Sequence, residues 1–143
     1  MPETLLGFDY GSKKIGVACG QSLTGTANPL AALVSRDGVP DWPAIEKLVQ
    51  EWQPSGFVVG LPLNMDDSES ESSSRARRFA RQLHGRFSKP VWMVDERLST
   101  REARDQLGSR NKRGPDPRVD SLAAVLMIES YFRDGGITPQ EQS

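Results

Sequence analysis

Cysteine and histidine are nearly absent: Cys19 and His84 stand alone in 143 residues. A single cysteine allows no internal disulfide, which suits a reducing compartment. Cys19 falls in an apolar segment and reads as a small core residue rather than a nucleophile. His84 falls in a basic helical stretch and reads as a surface side chain rather than a ligand. Long apolar runs are missing too. None approaches the roughly 20 residues of a membrane span. The opening Met1-Pro2-Glu3-Thr4 lacks the basic region of a signal peptide and leads straight into a strand. Hydrophobic residues make up a modest 36% of the chain, yet 143 residues suffice for one domain with a core that needs no staples. These absences point to a soluble cytoplasmic protein with no membrane partner. One domain is expected over residues 1–136, followed by a disordered tail at 137–143.

The charge that is present is unevenly placed. The net charge is −1, but the stretch from Arg75 to Arg118 holds 13 Lys/Arg against 5 Asp/Glu. A region this basic inside a neutral chain points to a polyanionic partner, nucleic acid above all. The alternative is a set of solvated helix faces.

Hydrophobic periodicity orders the elements. Residues 4–10 and 14–20 read as two strands joined by a turn at Gly11-Ser12, and residues 25–35 as a third, ending at the Asp37-Gly38 turn. Asp41 is placed to cap a helix whose apolar positions are Trp42, Ile45, Leu48, Val49 and Trp52. Pro43 stands in its first turn and Pro54 ends it. Gly56 to Gly60 reads as a buried strand, with Leu61-Pro62-Leu63-Asn64 as a loop at its carboxyl end. The acidic, serine-rich stretch from Asp66 to Ser74 is expected to be a mobile loop. The helix after it, running to about Phe87, buries Ala76, Phe79, Ala80, Leu83 and Phe87 and sets Arg75, Arg78 and Arg86 on an adjacent face. Val91 to Val94 is a further strand. Ser99 and Glu102 form a capping box for a short helix. Gly108 to Arg118 reads as a flexible loop, and Val119 to Phe132 as a buried helix. The later alternation of strands and helices implies right-handed crossovers and a partly parallel sheet. The tryptophans at 42, 52 and 92 occupy apolar positions and read as core.

Three carboxylate sites stand out. Asp9 lies near the end of the first strand, where burial is expected and an isolated carboxylate is expensive. Asp95-Glu96 ends the run from Val91, and Asp120 opens the last helix. Sites in open α/β sheets form at the carboxyl ends of strands. Three acids gathered there would repel one another without a cation, and Mg²⁺ or Mn²⁺ suits oxygen ligands. Two ions about 4 Å apart suit phosphodiester hydrolysis. Strand alternation sends Asp95 and Glu96 to opposite sides, and Glu96 is the preferred ligand. The alternatives are a local turn role for Asp9 and a helix-dipole role for Asp120. Lys13, Asn64, Arg97, Arg101, Lys112 and Arg113 are candidate nucleic-acid contacts. Gly60 would let backbone approach a substrate closely.

Four blocks in order, Phe8 to Val17, Val59 to Asp66, Asp95 to Thr100 and Val119 to Ala124, resemble the YqgF family of ribonuclease H-like proteins, described as Holliday-junction resolvases or pre-16S rRNA nucleases. The resemblance implies an α/β ribonuclease H-like fold with a central mixed sheet of about five strands flanked by helices. It implies Asp9, Glu96 and Asp120 as the catalytic, metal-binding set, and trimming of the 5′ end of pre-16S rRNA. One departure is visible: Asp67 stands where the family usually has Gly. Resolvase action on branched DNA is the alternative and would need a two-fold dimer; the expected state is a monomer or weak homodimer. Two other readings compete. The Asp-x-Gly hairpin also resembles the first phosphate loop of actin-like ATPases, which need a second such domain. A non-catalytic RNA-binding adaptor would have no use for three acids.

Overall fold

The computed structural model describes residues 3–11, 13–62, 64, 66, 68–95 and 121–136. Strands β1 (Thr4–Asp9), β2 (Lys14–Gln21) and β3 (Thr26–Arg36) form an antiparallel meander. A two-residue strand β4 (Val39–Pro40) adds to β3 through Ser35↔Pro40 and Arg36↔Val39. The turn between them is the expected Asp37-Gly38, with φ of 52° and 80°. Positive φ at both central residues suits a tight hairpin whose twist matches its strands. Helix α1 (Trp42–Trp52), strand β5 (Gly56–Leu61), helix α2 (Glu71–Phe87), strand β6 (Val91–Asp95) and helix α3 (Leu122–Asp134) complete the described chain.

The sheet runs in the order β4-β3-β2-β1-β5-β6, with β1, β5 and β6 parallel. Its six strands exceed the expected five because β4 is too short to leave a periodic signal. Parallel neighbours need crossovers, and α1 and α2 supply them. Both helices cover one face. There Leu6, Phe8, Ile15, Val17, Ile45, Phe57, Val59, Phe79 and Leu83 form the larger core, with Trp42, Leu48, Val49 and Trp52 packed against it. Helix α3 covers the other face through Ala124, Val125, Met127 and Ile128, against Leu5, Ala18, Val58 and Val94. Burying each large side chain contributes roughly 1.5–3 kcal/mol.

The helix ends follow local chemistry. Asp41 Oδ1 accepts from Ala44 N–H at 3.2 Å, as its capping position required. Helix α2 begins at Glu71, inside the stretch expected to be loop. Ser73 Oγ accepts from Ser70 N–H at 2.9 Å and donates to Pro62 C=O, so serines hold the first turn. The remaining loop is knit by Asn64 N–H donating to Ser68 C=O at 2.9 Å and Ser68 N–H to Asp66 Oδ1 at 3.0 Å.

Cys19 is buried in the larger core, and burial raises its thiol to about 11, so it is protonated near neutral pH. His84 is exposed, its Nδ1 3.0 Å from Lys89 C=O. No helix among the described residues is long and apolar enough to cross a membrane. The expected short helix after Ser99, the loop from Gly108 to Arg118 and the tail at 137–143 lie outside the described residues.

Candidate active site

Asp9 is the last residue of β1, between Phe8 in the α1–α2 core and Tyr10, packed against the same core. Side chains alternate along a strand. Leu5 belongs to the α3 cluster, and a Cβ on Gly7 would stand 2.6 Å from Ile128 Cγ1. Asp9 therefore shares the α3 side of the sheet. It is half-buried rather than buried, because the strand ends with it.

The parallel register aligns this strand end with two others. Phe8 pairs with Val59, Gly60 with Val94, and Leu61 with Asp95. The carboxyl ends of β1, β5 and β6 thus form one edge. Gly60 lies on that edge with the parity of Val58, which packs toward α3. At that edge, therefore, β5 brings a glycine and no side chain to the α3 face. On β6, Val91 and Met93 pack in the larger core, while Val94 packs with α3. Asp95 follows the parity of Met93, away from Asp9.

Helix α3 reaches the same level through Ser121. The buried Ser121 Oγ accepts from Val17 N–H at 2.9 Å and donates to Leu30 C=O at 2.6 Å. Val17 and Leu30 face each other where the β2–β3 register shifts. The hydroxyl stands as a rung between them, satisfying a donor and an acceptor at the irregularity. Val17 pairs with Phe8 across β1, one residue before Asp9. The sequence places Ser121 in a helix's first turn but gives no sign of this bond, whose partners are 91 and 104 residues away. Replacing Ser121 by Ala strands a buried N–H and should cost about 1–3 kcal/mol. Chemical denaturation measures it, and a loss under a few tenths would mean that the rung is replaceable.

Of the nine predicted site residues, Asp9, Lys13 and Asn64 are described, and they lie at this one edge. Lys13 is exposed just before β2, beside the end of β1. Asn64 is exposed in the loop after β5, its Nδ2 donating to Ser68 Oγ at 3.0 Å. Glu96, Arg97, Arg101, Lys112, Arg113 and Asp120 lie outside the described residues. Among the described residues no group of three or more His, Cys, Asp or Glu is placed to hold a metal ion. One basic residue of the 75–118 stretch is committed elsewhere. Buried Arg77 makes a two-pronged pair with Glu69, both contacts at 2.8 Å. Arg75, Arg78 and Arg86 are exposed on α2, on the sheet face away from α3.

Comparison with known proteins agrees with this architecture. Residues 3–134 match the family described as RuvX: Holliday junction resolvase. An Alcanivorax borkumensis protein named "Putative pre-16S rRNA nuclease" is 57% identical over 128 residues, covering 90% of this chain and 94% of its own. A Salmonella paratyphi B protein of the same name is 53% identical over 137 residues, covering 94% and 99%. The structure of Thermus thermophilus RuvC in complex with a Holliday junction substrate superposes with a TM-score of 0.55 at 14% identity, over 95% of this chain and 99% of that one. That likeness is one of fold, and it bears out the ribonuclease H-like α/β architecture. With the match running through every described strand and helix at over 50% identity to curated relatives, the chain belongs to the RuvX (YqgF) family.

Proposed function

We propose that this protein is a metal-dependent nuclease that trims the 5′ end of pre-16S rRNA, with Asp9, Glu96 and Asp120 holding the metal. The observation that carries the reading is the shared edge: Asp9 stands there on the α3 side, and β6 and α3 bring Asp95 and Ser121 to the same edge. Glu96 and Asp120 are the chain neighbours of those two, each one peptide away, about 3.8 Å from Cα to Cα. The parity of Asp95, away from Asp9, supports Glu96 as the ligand.

The donor set fits Mg²⁺ or Mn²⁺. Carboxylate oxygens suit hard cations, and Gly60 brings no side chain of β5 to that edge. A divalent ion held there supplies Lewis-acid stabilisation of the charge that develops on a reacting phosphodiester. Asp9 contributes oxygen donors from the end of a buried strand, so its position is set before substrate arrives. Lys13 and Asn64 are exposed at the rim and would contact flanking phosphates, as would Arg97, Arg101, Lys112 and Arg113. The names of the curated relatives favour RNA. The family description favours a second reading, resolution of four-way DNA junctions.

Purified protein should cleave a 5′-extended 16S rRNA fragment with Mg²⁺ or Mn²⁺ and lose activity in EDTA. Ca²⁺ should bind without supporting turnover, because its looser coordination positions groups poorly. Cleavage that persists in EDTA would rule out the metal. Faster cutting of a four-way junction than of the RNA would move the substrate to DNA.

A further inference from the structure

On the sheet face away from Asp9, a cleft of about 650 Å³ opens between α2 and the turn at 37–40. One wall is a cationic stripe. Arg75, Arg78 and Arg86, with Gln82, follow one another at helical spacing, one step around from the buried stripe of Ala76, Phe79 and Leu83. The floor is aromatic. Phe79 stacks against Tyr10 with centroids 5.2 Å apart and against Trp42 at 5.6 Å. The Arg86 guanidinium lies over the Trp42 ring, 4.1 Å from its centroid. Tyr10 Oη donates to Gly38 C=O at 2.5 Å and ties the floor to the opposite wall.

The floor's rings are largely engaged with one another and with Arg86. Phe79 is 1% exposed, and the Trp42 ring contacts both Phe79 and the Arg86 guanidinium. The floor fixes the cation. A guanidinium stacked on a ring keeps its in-plane N–H groups free to point outward, and those match phosphate oxygens. Arg75 pairs with Glu71 at 2.7 Å, but both side chains are largely exposed, and such a pair exchanges easily for a stronger anion. Asp37 is the single acid among the described lining residues, at the turn. The cleft therefore presents three cations to one acid and recognises charge rather than base identity.

We infer that this cleft binds the phosphodiester backbone of a single-stranded segment of the nucleic-acid substrate, on the side of the sheet opposite the catalytic edge. The inference rests on the nuclease reading only for the identity of that substrate. Tyr10, which lines the cleft, directly follows Asp9 in the chain. A strand passing over the end of β1 would meet both sites, a few nucleotides apart. A volume of about 650 Å³ is small beside a duplex, so a single strand can enter where a duplex could only lie across the mouth.

The test is fluorescence anisotropy of a labelled oligouridylate of about twelve nucleotides, in EDTA so that nothing is cut, over a series of KCl concentrations. The proteins are wild type, the triple variant Arg75→Ala/Arg78→Ala/Arg86→Ala, and Arg78→Glu alone. All three arginines are exposed, and melting curves check that the variants fold. The triple variant should bind at least about tenfold more weakly. Its slope of log affinity against log salt should flatten by about 2, three contacts at about 0.7 each. An oligoadenylate should show the same loss, because phosphate contacts carry no sequence information. Arg78→Glu should weaken binding in the same direction. A duplex of equal length should change less than about twofold. Unchanged affinity and slope would overturn the inference and leave the stripe to an acidic protein surface. Equal losses on duplex and single strand would overturn the single-strand assignment. Because binding is read without metal, failure of the nuclease reading in a cleavage assay leaves this result standing on its own.

Discussion

Replacing Asp9 by Asn is expected to lower metal-dependent cleavage by on the order of 10³-fold while the protein stays folded. Asn keeps the shape of the side chain and removes the charge that would hold a divalent cation in the proposed site. Loss of one preorganised electrostatic group at a reacting centre typically costs 10²–10³ in rate, and a metal ligand stands at the upper end of that range. Asp9 is half-buried at a strand end, and Asn keeps its size and hydrogen-bonding atoms, so the fold is expected to hold. In EDTA the melting temperature should hold or rise, because the proposed site would then hold one fewer of its mutually repelling carboxylates. Single-turnover cleavage with Mg²⁺ and a thermal melt, on the same preparation, separate the two effects. A variant that cleaves at near wild-type rate would place Asp9 outside the site. One that unfolds would make it structural.

The second large effect belongs to the seat of α3. Ile128 packs with no exposure against Gly7 and Gly20. A Cβ on Gly7 would stand 2.6 and 2.7 Å from Ile128 Cγ1 and Cδ1 and 3.3 Å from Ala124 C=O, and one on Gly20 would collide with Ile128 Cγ2. Gly7→Ala must displace the Ile128 side chain and crowds the Ala124 carbonyl, straining the seat of α3. Overpacking of this kind costs about 1–3 kcal/mol, and Gly7→Val should exceed it, lowering Tm by roughly 10 °C. Ile128→Ala alone should cost about 2–5 kcal/mol through the cavity it leaves. Combined with Gly7→Ala, the two losses should not add, because the new methyl occupies part of that cavity; a coupling of at least about 0.5 kcal/mol is expected. Strict additivity would mean that Ile128 does not sit over Gly7. Ser121 begins this helix, so a shifted α3 should also impair cleavage more than the melt alone explains.

Why some of this was legible in the sequence and some was not follows from the range of the interactions involved. The strands over Thr4–Asp9, Lys14–Gln21, Thr26–Arg36, Gly56–Leu61 and Val91–Asp95, and the helix over Trp42–Trp52, carry their own periodicity and caps. The stripe Trp42, Ile45, Leu48, Val49 and Trp52 reached the core as its spacing demanded. The start of α2 at Glu71 carries no familiar signal because its box is built from Ser70 and Ser73. The common signature has Glu or Gln at the second place. Strand β4 exists only because Val39 and Pro40 meet β3 across a two-residue turn. The cleft needs that turn to face α2, a juxtaposition no local pattern encodes. The seat of Ile128 needs Gly7 and Gly20 from different strands, each an ordinary glycine until α3 arrives. At the catalytic edge, residue chemistry and the family blocks singled out Asp9, Lys13 and Asn64, and register alone shows that they share one strand end.

Anomalous scattering from crystals soaked in Mn²⁺ tests the central claim most directly. The account predicts a peak within coordination distance of carboxylate oxygens of Asp9, Glu96 and Asp120, at the carboxyl edge of β1 beside Gly60, and its loss in Asp9→Asn. A peak held by other residues, or an empty edge at saturating Mn²⁺, would contradict it.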